Sequence, residues 1–343
     1  MSGFADSGNC PRSAALTTRN TGMTFRKFAL FLALAALLLW VGNTSVLSPG
    51  SETRLLAHRG VHQTFDIASV GNDTCTAAII DPPRHDYLEN TIPSMRAAFQ
   101  AGADVVELDV HLTPDGRFAV FHDWTLDCRT DGRGVTEETT MTDLKKLDIG
   151  YGYTADGGIT FPLRGSGVGL MPTLTEVLEA FPDRKFLVNY KSGREEEGAA
   201  LVTLLAGQPQ LRAPVWAVYG GEQPTRAAIA GTPGLRGYDK ASVKACLLRY
   251  VLLGWSGYVP AACRNTLLPL PANIAPWVWG YPHRLTARMK AAGTDVVLLG
   301  EWSGGPSSGI DDVADMNRVP RGFDGYVWTN RIEEIGPALK ARN

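Results

Sequence analysis

Between Arg54 and Asn330 the chain repeats one pattern, and this pattern limits the folds open to it. Short apolar runs (Arg54–His58, the run opening at Val105, Lys185–Tyr190, Val215–Tyr219, the weaker Leu235–Tyr238, Val296–Leu299 and Tyr326–Trp328) alternate with stretches of helical spacing. Among the latter are Thr91–Ala101, Met171–Ala180, Gly198–Ala206, Ser242–Leu253 and Leu285–Ala292. Strands that are apolar on both faces and separated by helices predict a parallel sheet covered by helices. About eight strands over roughly 290 residues fit a closed (β/α)8 TIM barrel. A doubly wound open sheet is the alternative. Charge placement favours the barrel: His58, Glu107, Asp109, Lys191 and the Trp328–Asn330 end all fall at or near strand C-termini, where barrels carry their sites.

The stretch Val105–Asp123, VVELDVHLTPDGRFAVFHD, concentrates the chemistry. Alternation puts Glu107, Asp109 and His111 on one strand face, with Leu108 and Val110 on the other. Two carboxylates two residues apart on one face can share a cation, and leaving both ionised without one costs repulsion. Thr113-Pro114-Asp115-Gly116 is a turn signal. A return strand over Phe118–Phe121 then delivers His122, which a hairpin through Asp115-Gly116 would place directly across from Asp109. Taken alone, the stretch could equally be an amphipathic hairpin with solvent-facing charges. His111 either lines the site or meets solvent.

Two further segments bear on that choice. Arg54-Leu55-Leu56-Ala57-His58-Arg59-Gly60 is an apolar strand ending in a histidine, an arginine and a glycine. Leu88-Glu89-Asn90-Thr91-Ile92-Pro93 is a helix start capped by Asn90 or Thr91, and it carries a third carboxylate. The ordered set HRG, ENT, ELDV and FHD resembles the glycerophosphodiester phosphodiesterase family over most of Arg54–Asn330. The resemblance implies a TIM barrel of the phosphatidylinositol-phospholipase-C-like phosphodiesterase type. It implies His58 and His122 as the catalytic pair, Arg59 and Lys191 as phosphate-binding residues, and Glu89, Glu107 and Asp109 as ligands of a divalent cation. It also implies attack on phosphorus by the substrate's own glycerol hydroxyl, through a cyclic phosphate. The chemistry is coherent: two histidines can exchange protons, a Ca²⁺ or Mg²⁺ held by hard oxygens neutralises a phosphate, and basic side chains stabilise transition-state charge. Trp328, at the last strand end, joins the substrate-binding residues. One departure stands out. The family usually has Glu-x-Lys on the fourth strand, and this chain reads Asn189-Tyr190-Lys191. Asn189 keeps a carbonyl oxygen for the metal and loses a charge.

The expected activity is metal-dependent hydrolysis of glycerophosphodiesters to an alcohol and glycerol 3-phosphate. Alternatives are a lysophospholipase D-like enzyme of lipid metabolism acting on membrane phosphodiesters, and a ligand-binding member whose catalysis is impaired by Asn189. The net charge of −2 divides as +3 over the first 27 residues and −5 over the remainder, so no basic nucleic-acid patch is present.

Phe28–Val41, FALFLALAALLLWV, is apolar all round, and extended to Leu47 it is long enough for a tilted span. Residues 1–27 are therefore expected as a cytoplasmic tail, 28–47 as a transmembrane signal anchor or a signal peptide, and 48–343 as the barrel domain. The cationic flank sets the barrel on the extracytoplasmic, periplasmic side, secreted if the segment is cleaved. Met23-Thr24-Phe25-Arg26-Lys27 would itself serve as a compact n-region. Beyond the segment stand Cys75, Cys128, Cys246 and Cys263. Proximity pairs Cys75 with Cys128 and Cys246 with Cys263 among three possible connectivities; buried free thiols are the other reading. Residues 61–87 form a long polar loop, the kind that serves a site or a lid. Residues 254–283 read as irregular and rich in Trp and Pro. Trp255, Trp277, Trp279 and Trp302 are expected in the core, with lipid contact or a substrate groove as alternatives. His62, His85 and His283 read as loop residues.

Overall fold

The computed structural model describes residue 3 and residues 25–46, 48–67, 70–71, 74–304 and 308–342. The chain forms two compact units, residues 1–40 and residues 41–343. Helix α1 (Phe25–Asn43) is an unbroken apolar helix of 19 residues, long enough by length and composition to cross a membrane. The rest of the expected N-terminal tail lies outside the described residues, apart from Gly3.

The second unit is a barrel. Its elements run β1 (Arg54–His58), α2 (Ile92–Gln100), β2 (Val105–Leu112), β3 (Phe118–Val120), α3 (Met141–Leu144), α4 (Leu174–Ala180), β4 (Lys185–Tyr190), α5 (Glu195–Gly207) and β5 (Val215–Gly220). They continue α6 (Glu222–Gly231), β6 (Arg236–Asp239), α7 (Lys240–Leu253), β7 (Leu267–Pro271), α8 (His283–Ala291), β8 (Asp295–Leu299), β9 (Tyr326–Thr329) and α9 (Ile332–Arg342). Eight strands pair in the order β6-β5-β4-β2-β1-β9-β8-β7, all parallel, and β3 folds back antiparallel on β2. The first strand sits between β2 and β9, so the two ends of the chain meet in one curled sheet, unlike a doubly wound layer. β6 and β7 come together without ladder bonds among the described residues, and the barrel is nearly closed.

β7 lies inside the region expected to be irregular. Its sequence, Leu-Leu-Pro-Leu-Pro, carries two residues without an N–H, which hides it from a strand reading. Proline is tolerated there because β7 borders the unpaired seam. Helices α6 and α9 were not expected either; each contains a proline, and α9 carries Gly336-Pro337 within it.

Alternation along the strands sorts side chains between two layers. Ala57, Val106, Leu108, Val110, Val188, Val218 and Leu268 pack outward beneath the helices. Leu56, Val105, Leu187, Ala217, Leu267, Val297 and Trp328 fill the barrel interior. Each fully buried aliphatic contributes about 1.5–3 kcal/mol. Helix α2 shows how an active segment is fixed locally: Thr91 caps it by accepting from Ser94 N, and Met95, Ala98 and Phe99 bury its inner face. Both expected disulfides, Cys75–Cys128 and Cys246–Cys263, are present. The tryptophan expectation holds only for Trp279, which packs against the core. Trp255, Trp277 and Trp302 are exposed, because they fall in turns outside the barrel wall.

Candidate active site

The barrel's register lines up the mouth. Asp109, Asn189, Tyr219 and Tyr238 are successive partners across β2, β4, β5 and β6, with Glu107 one layer below and beside His58. Glu107 and Asp109 are fully buried. Tyr219 donates its hydroxyl to Glu107 Oε1 at 2.8 Å. Burial, reinforced by the Asp109 charge, pushes the Glu107 pKa up to about 8. Burial would raise Asp109 as well, but Lys191 at 3.5 Å and Arg59 at 3.1 Å outweigh it and hold that carboxyl well below its usual range. Asn189 Nδ2 donates to Asp109 Oδ1 at 2.8 Å.

The HRG and ENT segments meet at this pair in a strained backbone. Arg59 and Asn90 both adopt positive φ, +58° and +59°, a left-handed conformation that non-glycine residues avoid and that clusters at functional sites. Gly60 is required where it stands: a Cβ there would come within 2.5 Å of Ser94 Oγ and 2.9 Å of the Ser94 carbonyl carbon. Asn90 N donates to Arg59 O at 2.9 Å, joining the two motifs through their backbones. Thr91 is the helix cap, and Asn90 instead clasps Asp109: its Nδ2 donates to Asp109 Oδ2 at 3.0 Å and its Oδ1 accepts from Asp109 N at 3.1 Å. The Arg59 guanidinium bridges Glu89 at 3.1 Å and Asp109 at 3.1 Å.

Each histidine has its Nδ1 held. His58 Nδ1 faces Asn330 Oδ1 at 2.6 Å, and its ring lies 4.9 Å from the Trp328 ring. His122 Nδ1 meets Asp123 Oδ1 at 2.7 Å. Burial, aided by the Arg59 charge, lowers both histidines, His58 well below its ordinary value. The hairpin register differs by one residue from the expected one. The turn closes on Thr113 and Arg117 as a three-residue loop with Gly116 at φ +73°, so Phe121 N, not His122, bonds to Asp109 O. His122 still arrives within electrostatic reach of Asp109.

Several partners were not legible in the sequence. Arg129 is buried and ties Asp123 Oδ2 (2.9 Å) to Glu89 Oε2 (3.1 Å), while donating to Tyr153 and to Thr76 of the long loop. Nothing in its local sequence marks it. Asp123 directly follows His122, which is a usable signal. His111 is buried rather than solvent-facing, between Glu137 and the His122 carbonyl. His62 is a loop residue as expected, and it is buried edge-on to His58 at 5.9 Å. A cavity of about 510 Å³ opens over Arg59, His122, Asp123 and Lys191, with Cys75, Thr76 and Cys128 in its wall. The long 61–87 loop thus lines the site.

Among the described residues no three His, Cys, Asp or Glu side chains close around one point as a metal site. Arg59 lies between Glu89 and Asp109 instead. The donor chemistry nonetheless suits a hard cation. The carboxylates Glu89, Glu107, Asp109 and Asp123 supply hard oxygen donors at the mouth, and they outnumber Arg59, Arg129 and Lys191.

A parallel barrel whose mouth gathers two histidines, three basic side chains and an acid cluster belongs to the class suited to phosphodiester chemistry. Residues 58–206 match the glycerophosphoryl diester phosphodiesterase family. It is 44% identical over 107 residues to a glycerophosphodiester phosphodiesterase of Caldanaerobacter subterraneus subsp. tengcongensis, a match covering 31% of this chain and 40% of the relative. A Bacillus subtilis glycerophosphodiester phosphodiesterase is 41% identical over 96 residues, 27% of this chain and 31% of that protein. The matches thus span two fifths or less of these relatives' lengths. A glycerophosphoryl diester phosphodiesterase domain from Mycobacterium tuberculosis superposes with TM-score 0.59 at 17% identity, covering 85% of this chain and 100% of that one. An Oleispira antarctica phosphodiesterase, solved with the product sn-glycerol-3-phosphate, superposes with TM-score 0.52 at 21% identity over 85% and 97% of the two chains.

Proposed function

We propose that this protein hydrolyses glycerophosphodiesters to an alcohol and glycerol 3-phosphate, on the extracytoplasmic side of a membrane in which residues 25–43 are the anchor. The observation that carries the reading is the pair of histidines with Nδ1 bound, His58 to Asn330 and His122 to Asp123. Fixing Nδ1 reserves Nε2 of each ring for proton transfer. One histidine takes the proton of the attacking glycerol hydroxyl as its oxygen bonds to phosphorus, and the other protonates the departing alkoxide, leaving a cyclic phosphate; water then attacks phosphorus with the proton roles reversed, and the ring P–O bond breaks to give glycerol 3-phosphate. Burial disfavours the charged form of both rings, and an incoming phosphodiester anion favours the protonated form of its neighbour. Arg59 and Lys191 hold phosphate oxygens, and Trp328 walls the substrate side of His58. Glu89, Glu107, Asp109 and the Asn189 amide oxygen would hold a divalent cation, taking over from Arg59 part of the neutralisation of this cluster. When bound, such an ion supplies charge neutralisation for the phosphate.

The test is turnover by the full chain of glycerophosphocholine and glycerophosphoethanolamine, with EDTA, Ca²⁺ or Mg²⁺. Release of glycerol 3-phosphate that chelation abolishes supports the reading and names the metal. Turnover of lysophospholipids alone moves the substrate to the membrane. Binding without turnover under every condition points to the Asn189-impaired alternative.

A further inference from the structure

The 41–343 unit carries a contiguous apolar surface that the catalytic reading does not use. Helix α7 ends in Tyr-Val-Leu-Leu and runs into Gly254-Trp255-Ser256. Leu248, Leu252, Leu253, Trp255 and Tyr258 are all exposed. The indole of Trp279 donates to Val251 O at 2.9 Å, which brings in the turn that carries Trp277, 84% exposed. The disulfide Cys246–Cys263 holds α7 against the segment that follows it. A cluster of this size and composition is rare on a surface that meets only water.

Its position says what covers it. Asn43, the last residue of α1, donates to Trp255 O at 2.8 Å. Arg288 donates to Gly42 O at 2.8 Å, to Asn43 Oδ1 at 3.0 Å and to Gly254 O at 2.9 Å. Within the 41–343 unit, Gly42 and Asn43 are therefore tied to the turn that carries Trp255. Resting on the reading of residues 25–43 as a membrane anchor, we propose that this surface is a second, interfacial seat on the lipid bilayer. Trp255, Trp277 and Tyr258 are amphipathic rings of the kind that settle at headgroup depth. Exposed Arg249 and Lys244 on the same helix meet lipid phosphates. Because the anchor already confines the barrel to the bilayer, effective concentration is high and a weak contact suffices. The consequence is a fixed orientation of the barrel on its membrane.

The full chain is reconstituted in phosphatidylethanolamine–phosphatidylglycerol vesicles doped with a diazirine-bearing phospholipid, irradiated, and its labelled peptides mapped. Labelling of residues 248–258 and of Trp277, together with α1, is expected. Leu252→Glu/Trp255→Glu should lower patch labelling about tenfold while α1 labelling and turnover of glycerophosphocholine stay unchanged. Labelling confined to α1 overturns the proposal while leaving the anchor standing. Absence of label from both overturns the anchor and the seat together. A patch shielded from lipid but cross-linked to a second copy overturns it in favour of self-association.

Discussion

His58 Nδ1 lies 2.6 Å from Asn330 Oδ1, and Asp311 fixes that asparagine by accepting from its main-chain N at 2.6 Å and its Nδ2 at 2.7 Å. The arrangement sets the tautomer of a histidine through an amide that cannot rotate. Asn330→Ala should lower kcat about tenfold to a hundredfold with KM little changed, as loss of an orienting partner does. Asn330 is not itself expected to touch phosphate. Steady-state kinetics on glycerophosphocholine, with Tm as a folding control, checks both points.

His58→Ala and His122→Ala should each cost about 10²–10⁴ in kcat, the range for general acid–base groups. The double variant should fall far short of the product of the two losses, because the residues act as a unit. Single-turnover measurement of glycerol 3-phosphate release decides this.

Asp123 bonds to His122 and forms an ion pair with Arg129. Burial opposes its ionisation, but the Arg129 charge and then His122 outweigh it, so its folded pKa lies below the unfolded one. The stabilisation is therefore present above the unfolded value, about 3.9, and is lost as pH falls through the folded one. Asp123→Asn should destabilise by about 1–3 kcal/mol near neutrality. Urea midpoints of parent and variant should converge as pH drops below about 4.

Asn189 Nδ2 donates to Asp109 Oδ1. Asn189→Glu puts a further negative charge in that position and removes the donor. Calorimetric titration should show tighter Ca²⁺ or Mg²⁺ binding, by about tenfold or more. In chelator the same variant should melt below the parent, because the added charge then has no cation to balance it.

Cys75 and Cys128, 53 residues apart, tie the 61–87 loop to the segment that precedes Arg129. Chain-entropy reasoning gives a bond at that spacing about 4 kcal/mol. Cys75→Ser/Cys128→Ser should lower the urea midpoint accordingly. It should also reduce kcat/KM beyond the stability loss, since Thr76, next to Cys75, accepts from Arg129. Activity measured well below the Tm separates the two effects.

How much of this was legible depended on whether a signal was local. The His58, Glu107 and Asp109 positions followed from strand alternation and strand ends, because period-two burial is written directly into the residues. The Asp109–Phe121 register was missed because one residue of turn length reverses which side chain stands opposite. Arg129 was missed because its partners Glu89, Asp123 and Thr76 lie far apart in sequence and converge only in the fold. β7 was missed because its prolines mimic a loop, and the exposure of Trp255 and Trp277 because a tryptophan-rich turn reads like core when no surface is in view.

Those prolines have one more consequence. Elsewhere around the barrel, neighbouring strands are joined by main-chain ladders. Where β6 meets β7, Thr266 Oγ1 donates to Gly237 O at 2.7 Å, and Arg236 reaches Gly293 O at 3.0 Å and Asp295 at 2.9 Å. The ring is shut there by a clasp of side chains rather than by a zip of backbone. It is at this joint that thermal breathing would concentrate and a proteolytic or hydrogen-exchange opening would begin, on the far side of the ring from the β1–β2 edge that holds His58 and Glu107.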